Sequence, residues 1–292
     1  MTYETRILLK EGIEWGEGAR WYGDKLFFSD IYGKKVMSVD LNGKSEIVAN
    51  VPGMPSGLGF LPDGRLLIVS GMDGTLYVNG SNGLTAYACI YKGLAEAKGI
   101  NDMVVDTKGN AYVGTYGFDI TQYKGGPAEG WITLVTPDGK MRVAGGGMMC
   151  PNGIVITPDG KTLIAADTFT KQLIAYTIES DGSLTGCHVW AQLDSGPDGI
   201  AMDAEGFVWA ATPNANEVIR VKEGGEITDR VKMSNTPLTC ALGGPERRKL
   251  FVVTVAAHDT GSTEALSDPS KAQNKRSYIE VTDVKVPGGG CP

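Results

Sequence analysis

The hydrophobic and polar residues of the chain follow one pattern that recurs six times. Each copy opens on a polar residue, usually followed by glycine, and continues as an apolar run, a turn and a second apolar run. Two short apolar runs joined by a tight turn are typical of paired antiparallel strands. The clearest copy is Cys150–Asp167, which turns at Pro158-Asp159-Gly160. The opening polar residues of the six copies are Glu17, Ser56, Asn101, Asn152, Asp198 and Thr239.

The spacing of these copies predicts the fold. Successive copies start 39 to 51 residues apart, which leaves room for further strands in each interval. A period of about 40–50 residues with about four strands per unit is typical of a β-propeller blade. We therefore expect an all-β, six-bladed β-propeller with four-stranded antiparallel blades, and residues 1–292 as one domain. A β-sandwich is the alternative, but it does not explain a fixed period.

A propeller must join its last blade to its first. Thr5–Leu9 and Ser277–Val281 are short strand-like runs near the two ends of the chain, and we expect them to close the ring within one sheet. Two segments interrupt the repeat, Gly117–Gly130 and His258–Lys275. Long loops on a rigid scaffold commonly cover binding sites, and a plain surface loop is the alternative for both.

Charge and cysteine content narrow the partners and the compartment. The 292 residues carry a net charge of −7, which argues against nucleic acid or an anionic membrane as partner. The five cysteines are widely spaced and form no CxxC motif, so free thiols in a reducing compartment are expected. No signal peptide or membrane-spanning run is evident. These features predict a cytoplasmic protein with no obligate protein partner.

The six opening residues predict a polar ring. The first strand of each propeller blade lines the central channel, so equivalent residues of six blades surround its axis. Two members are carboxylates, Glu17 and Asp198, and two are amides, Asn101 and Asn152. Oxygen ligands without His or Cys are typical of hard cations. Small polar residues before glycine are also ordinary turn formers, but their shared place in the repeat favours a metal site.

Four short motifs stand in order along most of the chain. They are Gly16-Glu17-Gly18-x-x-Trp21, Ile100-Asn101-Asp102, Pro151-Asn152-Gly153 and Pro197-Asp198-Gly199-Ile200. Together they resemble the senescence-marker-protein/gluconolactonase family, also called regucalcin-like. The resemblance implies a six-bladed propeller with one divalent cation at the top of the channel.

The resemblance also implies a ligand set and an activity. Glu17, Asn152 and Asp198 would bind the cation, and Asn101 would face it as a fourth or water-mediated ligand. Calcium is the expected ion, with zinc, magnesium and manganese as alternatives. Family members hydrolyse lactones, mostly sugar lactones, and relatives of the fold hydrolyse organophosphates. A divalent cation polarises a lactone carbonyl and activates a bound water, Asp198 would act as general base or nucleophile, and Asn101 would donate to the oxyanion.

The sequence departs from the sugar-lactonase pattern at two places. Where well-known members carry a substrate-binding Arg, this chain has Gly99 beside Lys98. Where they carry acidic residues near the sugar hydroxyls, it has Tyr116, Phe118 and Asp119. Both changes predict a less polar pocket, so an aromatic or alkyl lactone or ester has equal weight with a sugar lactone. The predicted substrate-binding residues are Lys98, Tyr116, Phe118, Asp119 and Met149.

Few other side chains compete for a role. His188 lies in an outer-strand pattern and is expected to be structural. His258 opens a loop, where a place outside the site is favoured over one within it. Cys240 adjoins the ring, but nothing marks it as a nucleophile. We therefore expect a divalent-metal-dependent hydrolase that opens a small lactone. The alternatives are an organophosphate or ester hydrolase and a non-catalytic calcium-binding or protein-interaction propeller.

Overall fold

The described residues form six four-stranded antiparallel sheets arranged as blades. The computed structural model describes residues 3–122, 125–126, 128–256 and 276–290. The chain begins with β1 (Arg6–Leu9) and continues into five blades of consecutive strands. Blade 1 is β2 (Gly16–Tyr22), β3 (Lys25–Asp30), β4 (Lys35–Val39) and β5 (Ser45–Asn50); blade 2 is β6 (Pro55–Phe60), β7 (Leu66–Ser70), β8 (Thr75–Gly80) and β9 (Gly83–Cys89).

The next three blades repeat this order. Blade 3 is β10 (Gly99–Val105), β11 (Ala111–Tyr116), β12 (Gly130–Val135) and β13 (Met141–Met148); blade 4 is β14 (Pro151–Ile156), β15 (Thr162–Asp167), β16 (Gln172–Ile178) and β17 (Leu184–Gln192). Blade 5 is β18 (Ile200–Met202), β19 (Val208–Thr212), β20 (Glu217–Val221) and β21 (Ile227–Lys232). Blade 6 is β22 (Thr236–Gly243), β23 (Lys249–Val255), β24 (Ser277–Asp283) and β1.

In the part of the chain that the structure describes, helical structure is confined to short connections. The elements are α1 (Ile90–Gly93) and the 3-10 turns Ile120–Gln122, Pro213–Ala215 and Pro245–Arg247. Among the described residues, none of these is long and apolar enough to cross a membrane.

The predicted ring of blades is confirmed. The first strand of each blade lies innermost and contacts the first strands of both neighbouring blades. The sixth sheet is closed by β1, which pairs antiparallel with β24 through Arg6–Val281 and Ile7–Glu280. The predicted pairing of the two terminal runs is therefore correct. The loop His258–Lys275 lies outside the described residues.

The hydrophobic core lies between neighbouring blades, because each flat sheet buries both faces against the next. Trp21 of blade 1 stacks on Phe251 of blade 6 with ring centroids 5.0 Å apart. Phe27 of blade 1 meets Phe60 of blade 2 edge to face at 5.1 Å. Trp209 is fully buried between blades 5 and 6. Aromatic side chains therefore pack between neighbouring blades at several places around the ring.

The two ends of the channel differ. Each ring residue lies in the first half of its inner strand or, for Asp198, two residues before it, so the ring lies at one end of the channel, which we call the mouth. The opposite end is crossed by residues 284–290, which follow β24. There Gly289 N donates to Met202 O at 2.9 Å, and Ala204 N donates to Pro287 O at 2.8 Å. This segment ties blade 6 to blade 5 at the end away from the ring.

Candidate active site

The ring residues stand where the inner strands lose their regular pairing. Between Glu17 and Arg20, three steps along β2 match two steps along β3, and β14 shifts in the same way between Pro151 and Ile154. Strands β6, β10 and β22 shift at equivalent points. Bulges of this kind re-aim side chains and are over-represented next to active sites. The ring residues therefore do not follow the plain alternation of a strand.

Glycine after the ring position allows neighbouring inner strands to approach closely. Gly18 has φ +60°, and a Cβ there would lie 2.2 Å from the carbonyl oxygen of Ser56 in the next blade. A Cβ on Gly153 would lie 2.5 Å from Ile200 N of blade 5. Any larger residue would push the blades apart. The glycines thus hold the ring residues of successive blades near one another.

The two carboxylates of the ring share one electrostatic environment. Burial at the narrow mouth and the negative charge of Asp198 raise the pKa of Glu17 well above its usual range. Burial and the nearby Asp102 raise the pKa of Asp198 to about 7. A hydrogen bond from Asn152 acts in the opposite direction. Like charges gathered in a partly desolvated place favour either proton uptake or a cation between them.

Asn152 is oriented by its outer neighbours. Its Nδ2 donates to Thr168 Oγ1 at 3.3 Å, and Thr168 Oγ1 donates to Pro197 O at 2.7 Å. The same amide also hydrogen-bonds the Asp198 carboxylate. Since both N–H groups have these acceptors, the amide oxygen is the atom of Asn152 suited to a cation.

Asn101 is held by a tyrosine that the sequence placed in the substrate pocket. Tyr116 is buried, and its hydroxyl lies within hydrogen-bonding reach of the Asn101 amide and the Cys150 thiol. Burial raises the pKa of the Tyr116 hydroxyl, so this group stays neutral at physiological pH. Tyr116 therefore borders the ring and positions Asn101.

A buried ion pair lies beside the ring. Arg20 of blade 1 donates from Nη2 to Asp102 Oδ1 of blade 3 at 2.8 Å, with side chains only 5% and 7% exposed. Arg20 Nη2 also reaches Met103 O at 2.5 Å. Because blades 1 and 3 are not neighbours, Arg20 bridges across the inner strand of blade 2. The pair places one positive and one negative charge close to the carboxylate ring, and of the two the Asp102 charge acts more strongly on Glu17.

The donor set fits a hard cation. Glu17 and Asp198 supply carboxylate oxygens, and Asn152 and Asn101 supply amide oxygens, which is the chemistry that calcium prefers. Within the described parts of the chain, no cluster of three or more His, Cys, Asp or Glu side chains is placed to hold a metal. A cation here would therefore depend on the amides, waters or substrate to complete its ligand shell.

The other predicted substrate-binding residues lie near the mouth with different partners. Phe118 stacks on Tyr116 with centroids 5.4 Å apart. Lys98 is exposed and donates from Nζ to Ala95 O at 3.0 Å, and exposed Asp119 accepts from Gln122 Nε2 at 2.9 Å. Met149 is placed through its backbone, whose N–H donates to Asp167 Oδ2 at 2.8 Å. The structure thus joins Phe118 and Tyr116 directly.

Sequence reasoning missed three contributors to this region: Thr168, Phe169 and Arg20. Phe169 lies 6.2 Å from Phe118 between ring centroids. A signal for Phe169 was present, since it stands two residues after the second strand of its blade, as Phe118 does. No local signal identifies the partner of Arg20, which lies 82 residues away in the sequence.

Of the remaining candidates, His188 lies away from the mouth. His188 is exposed on the outermost strand β17, and its Nδ1 lies 2.8 Å from Gly186 O. His258 lies outside the described residues. Cys240 is buried near the ring, where burial raises its thiol pKa to about 12. A thiol that stays protonated is a poor nucleophile, as the sequence analysis expected.

The fold and the ring define a class: six-bladed propellers that carry a polar site at one end of the channel. Residues 15–256 match the SMP-30/Gluconolactonase/LRE-like region. The chain therefore belongs to this family, and the predicted resemblance is confirmed.

Individual relatives have low sequence identity to this chain but match most of its length. A 6-deoxy-6-sulfogluconolactonase from Pseudomonas putida is 27% identical over 68% of this chain and 66% of its own length. Regucalcin from Xenopus laevis is 26% identical over 96% of this chain and 95% of its own. The crystal structure of a calcium-binding protein, regucalcin, from Agrobacterium tumefaciens superimposes with a TM-score of 0.80. That match covers 100% of this chain and 97% of the other at 23% identity, and it supports the fold alone.

Proposed function

We propose that this protein is a divalent-metal-dependent hydrolase that opens a small lactone. The observation that carries the proposal is the ring at the mouth, where the Glu17 and Asp198 carboxylates share one desolvated environment beside two amides. Relatives that are named as lactonases support a lactone-hydrolysing enzyme. Metal dependence and the choice of lactone are our inference.

The residues would divide the work as follows. Glu17, Asn152 and Asp198 would hold the cation, with Asn101 facing it. When bound, a divalent cation supplies polarisation of a carbonyl and a water of lowered pKa. Calcium is the ion that we expect, because the donors are carboxylate and amide oxygens.

The protein's own side chains would handle orientation and protons. The Asp198 carboxylate would accept the proton of the attacking water and return it to the leaving alkoxide. The Asn101 amide would donate to the oxygen of the carbonyl under attack, and Tyr116 holds that amide in place. Attack by Asp198 itself is the alternative, and hydrolysis in ¹⁸O-water distinguishes the two because only nucleophilic attack labels the carboxylate.

The test is hydrolysis of a lactone panel followed with a pH indicator. Protein treated with a chelator should be inactive, and calcium, or else manganese, magnesium or zinc, should restore turnover. Asp198→Ala should lower kcat at least about a hundredfold while the circular dichroism spectrum is unchanged. Thr239→Val is the matched control, since Thr239 occupies the same repeat position and its hydroxyl has no hydrogen-bond partner among the described residues.

Other outcomes separate the alternatives. Turnover of a phosphotriester or a simple aryl ester, but of no lactone, would favour the organophosphate or ester hydrolase. Tight calcium binding without turnover of any substrate would favour a non-catalytic calcium-binding protein. Full activity of Asp198→Ala would remove this residue from the mechanism.

A further inference from the structure

The loops that follow the second strand of each blade carry bulky apolar residues on four successive blades. The second strand runs antiparallel to the first, so it ends at the mouth, as the pairings Glu17–Ser29 and Pro151–Asp167 show. Two residues after this strand the chain has a large apolar residue in blades 1 to 4 and an asparagine in blade 5. These residues are Tyr32, Met72, Phe118, Phe169 and Asn214.

In blades 3 and 4 these residues form a continuous aromatic surface. Tyr116 and Phe118 stack with an interplanar angle of 27°, and Phe118 lies beside Phe169 at 32°. We call Tyr116, Phe118 and Phe169 the aromatic shelf. Tyr116 is buried, whereas Phe118 and Phe169 are half-buried. The shelf thus continues outward from a buried base.

The shelf is connected to the ring at both ends. The Tyr116 hydroxyl lies within hydrogen-bonding reach of Asn101, and Phe169 directly follows Thr168, which accepts a hydrogen bond from Asn152. A ligand whose reacting carbonyl lies at the ring therefore has the shelf beside it. Its three rings, inclined by 27° and 32° from one to the next, form an apolar surface against which another planar ring can pack.

The polar groups around the shelf are engaged within the protein. Lys98 Nζ donates to Ala95 O, and Asp119 accepts from Gln122. The Tyr116 hydroxyl is buried between Asn101 and Cys150. A sugar lactone needs fixed hydrogen bonds for several hydroxyl groups, whereas a planar ring needs none.

We propose that the aromatic shelf binds a planar aromatic ring of the substrate, so that the preferred substrate is a lactone fused to or bearing such a ring. This inference rests on the proposed lactone hydrolase function. Phe118 and Phe169 are then specificity-determining residues that contact the substrate away from the reacting carbonyl. They should affect KM for aromatic lactones and leave small aliphatic lactones unaffected.

Two lactones that differ by one benzene ring test the proposal. 3-Isochromanone and δ-valerolactone both release an alkoxide from a six-membered lactone, and D-glucono-δ-lactone represents the sugar class. With calcium present, we expect kcat/KM for 3-isochromanone to exceed that for δ-valerolactone about tenfold after correction for alkaline hydrolysis. Phe118→Leu and Phe169→Leu should each lower the 3-isochromanone value about three- to tenfold, mainly through KM. Met72→Leu, at the same repeat position of blade 2, should leave kcat/KM unchanged for both 3-isochromanone and δ-valerolactone.

Binding of the matching lactams separates failure of the shelf from failure of the hydrolase. Calorimetry with 1,4-dihydro-3-isoquinolinone and δ-valerolactam needs no turnover, and we expect the aromatic lactam to bind about tenfold more tightly. If lactones are hydrolysed but the phenylalanine variants leave the aromatic preference unchanged, the shelf is overturned and the hydrolase stands. If no lactone is hydrolysed, the proposed hydrolase is wrong. The aromatic shelf is then supported only if the protein binds the aromatic lactam more tightly and both phenylalanine variants lose this preference, and it is overturned otherwise.

Discussion

The buried Arg20–Asp102 pair gives a prediction whose size follows from the structure. In Arg20→Met the cation is removed, while the Asp102 carboxylate stays buried near Glu17 and Asp198. The variant also lacks the hydrogen bonds that Arg20 donates to Met103 O and Ala19 O, at 2.5 and 2.8 Å. Methionine retains much of the apolar stem, so the change tests charge and hydrogen bonding rather than volume.

Breaking a buried pair by removing one partner costs about 3–5 kcal/mol, because the other charge stays uncompensated. The exposures of 5% and 7% place Arg20 and Asp102 in that class. Unfolding entropy of about 2.1 cal/mol/K per residue over 292 residues gives about 0.6 kcal/mol/K. We therefore expect the midpoint of thermal unfolding to fall by about 5–8 °C.

The assay is thermal and urea unfolding of the single variants and of Arg20→Met/Asp102→Asn. The double variant should be more stable than the sum of the two single losses predicts, because neither charge is left alone. Lys140→Met is the control, since Lys140 pairs with Asp138 at the surface with side chains 84% and 56% exposed. It should leave the midpoint unchanged. A loss of less than about 1 kcal/mol in Arg20→Met would refute the reasoning.

Two further predictions follow from the titratable groups. Because the pKa of Asp198 is raised to about 7 and that of Glu17 is raised as well, calcium must displace protons at neutral pH. Calcium affinity should therefore fall as the pH is lowered from 8 to 6, by about tenfold in total through Asp198 and further through Glu17. Binding heats measured in two buffers of different ionisation enthalpy should differ. A dissociation constant independent of pH and a binding heat independent of buffer would contradict this. Burial raises the thiol pKa of Cys150 and Cys240 to about 12, whereas Cys187 is exposed. Iodoacetamide at pH 8 should label Cys187 in the folded protein and the two buried thiols only after denaturation, and peptide mapping that finds native labelling of either buried thiol would argue against the described burial.

The architecture was predictable from the sequence because the same pattern of strands and turns occurs in six copies. Each hairpin is a local feature, and six copies at a regular spacing leave few closed arrangements. The ring position was accessible for the same reason, since Glu17, Asn101, Asn152 and Asp198 occupy one place in the repeat. The orientation of these side chains was not predictable, because the bulges that re-aim them depend on pairing between strands.

Contacts between distant blades were beyond sequence reasoning. Arg20 pairs with Asp102 across blade 2, and no spacing rule connects residues so far apart. Phe169 was missed although it repeats the position of Phe118, because the prediction compared the copies only at the start of their first strands. Comparing the copies at the end of the second strand would have found it.

The measurement that tests the central claim most directly is a crystal structure of the protein grown with calcium, with anomalous scattering recorded at a long wavelength. We predict one cation at the mouth, with the carboxylate oxygens of Glu17 and Asp198 and the amide oxygen of Asn152 at about 2.3–2.6 Å. Asn101 should face the same ion directly or through water. A mouth without a cation at saturating calcium, or a calcium ion bound by other residues, would contradict the account.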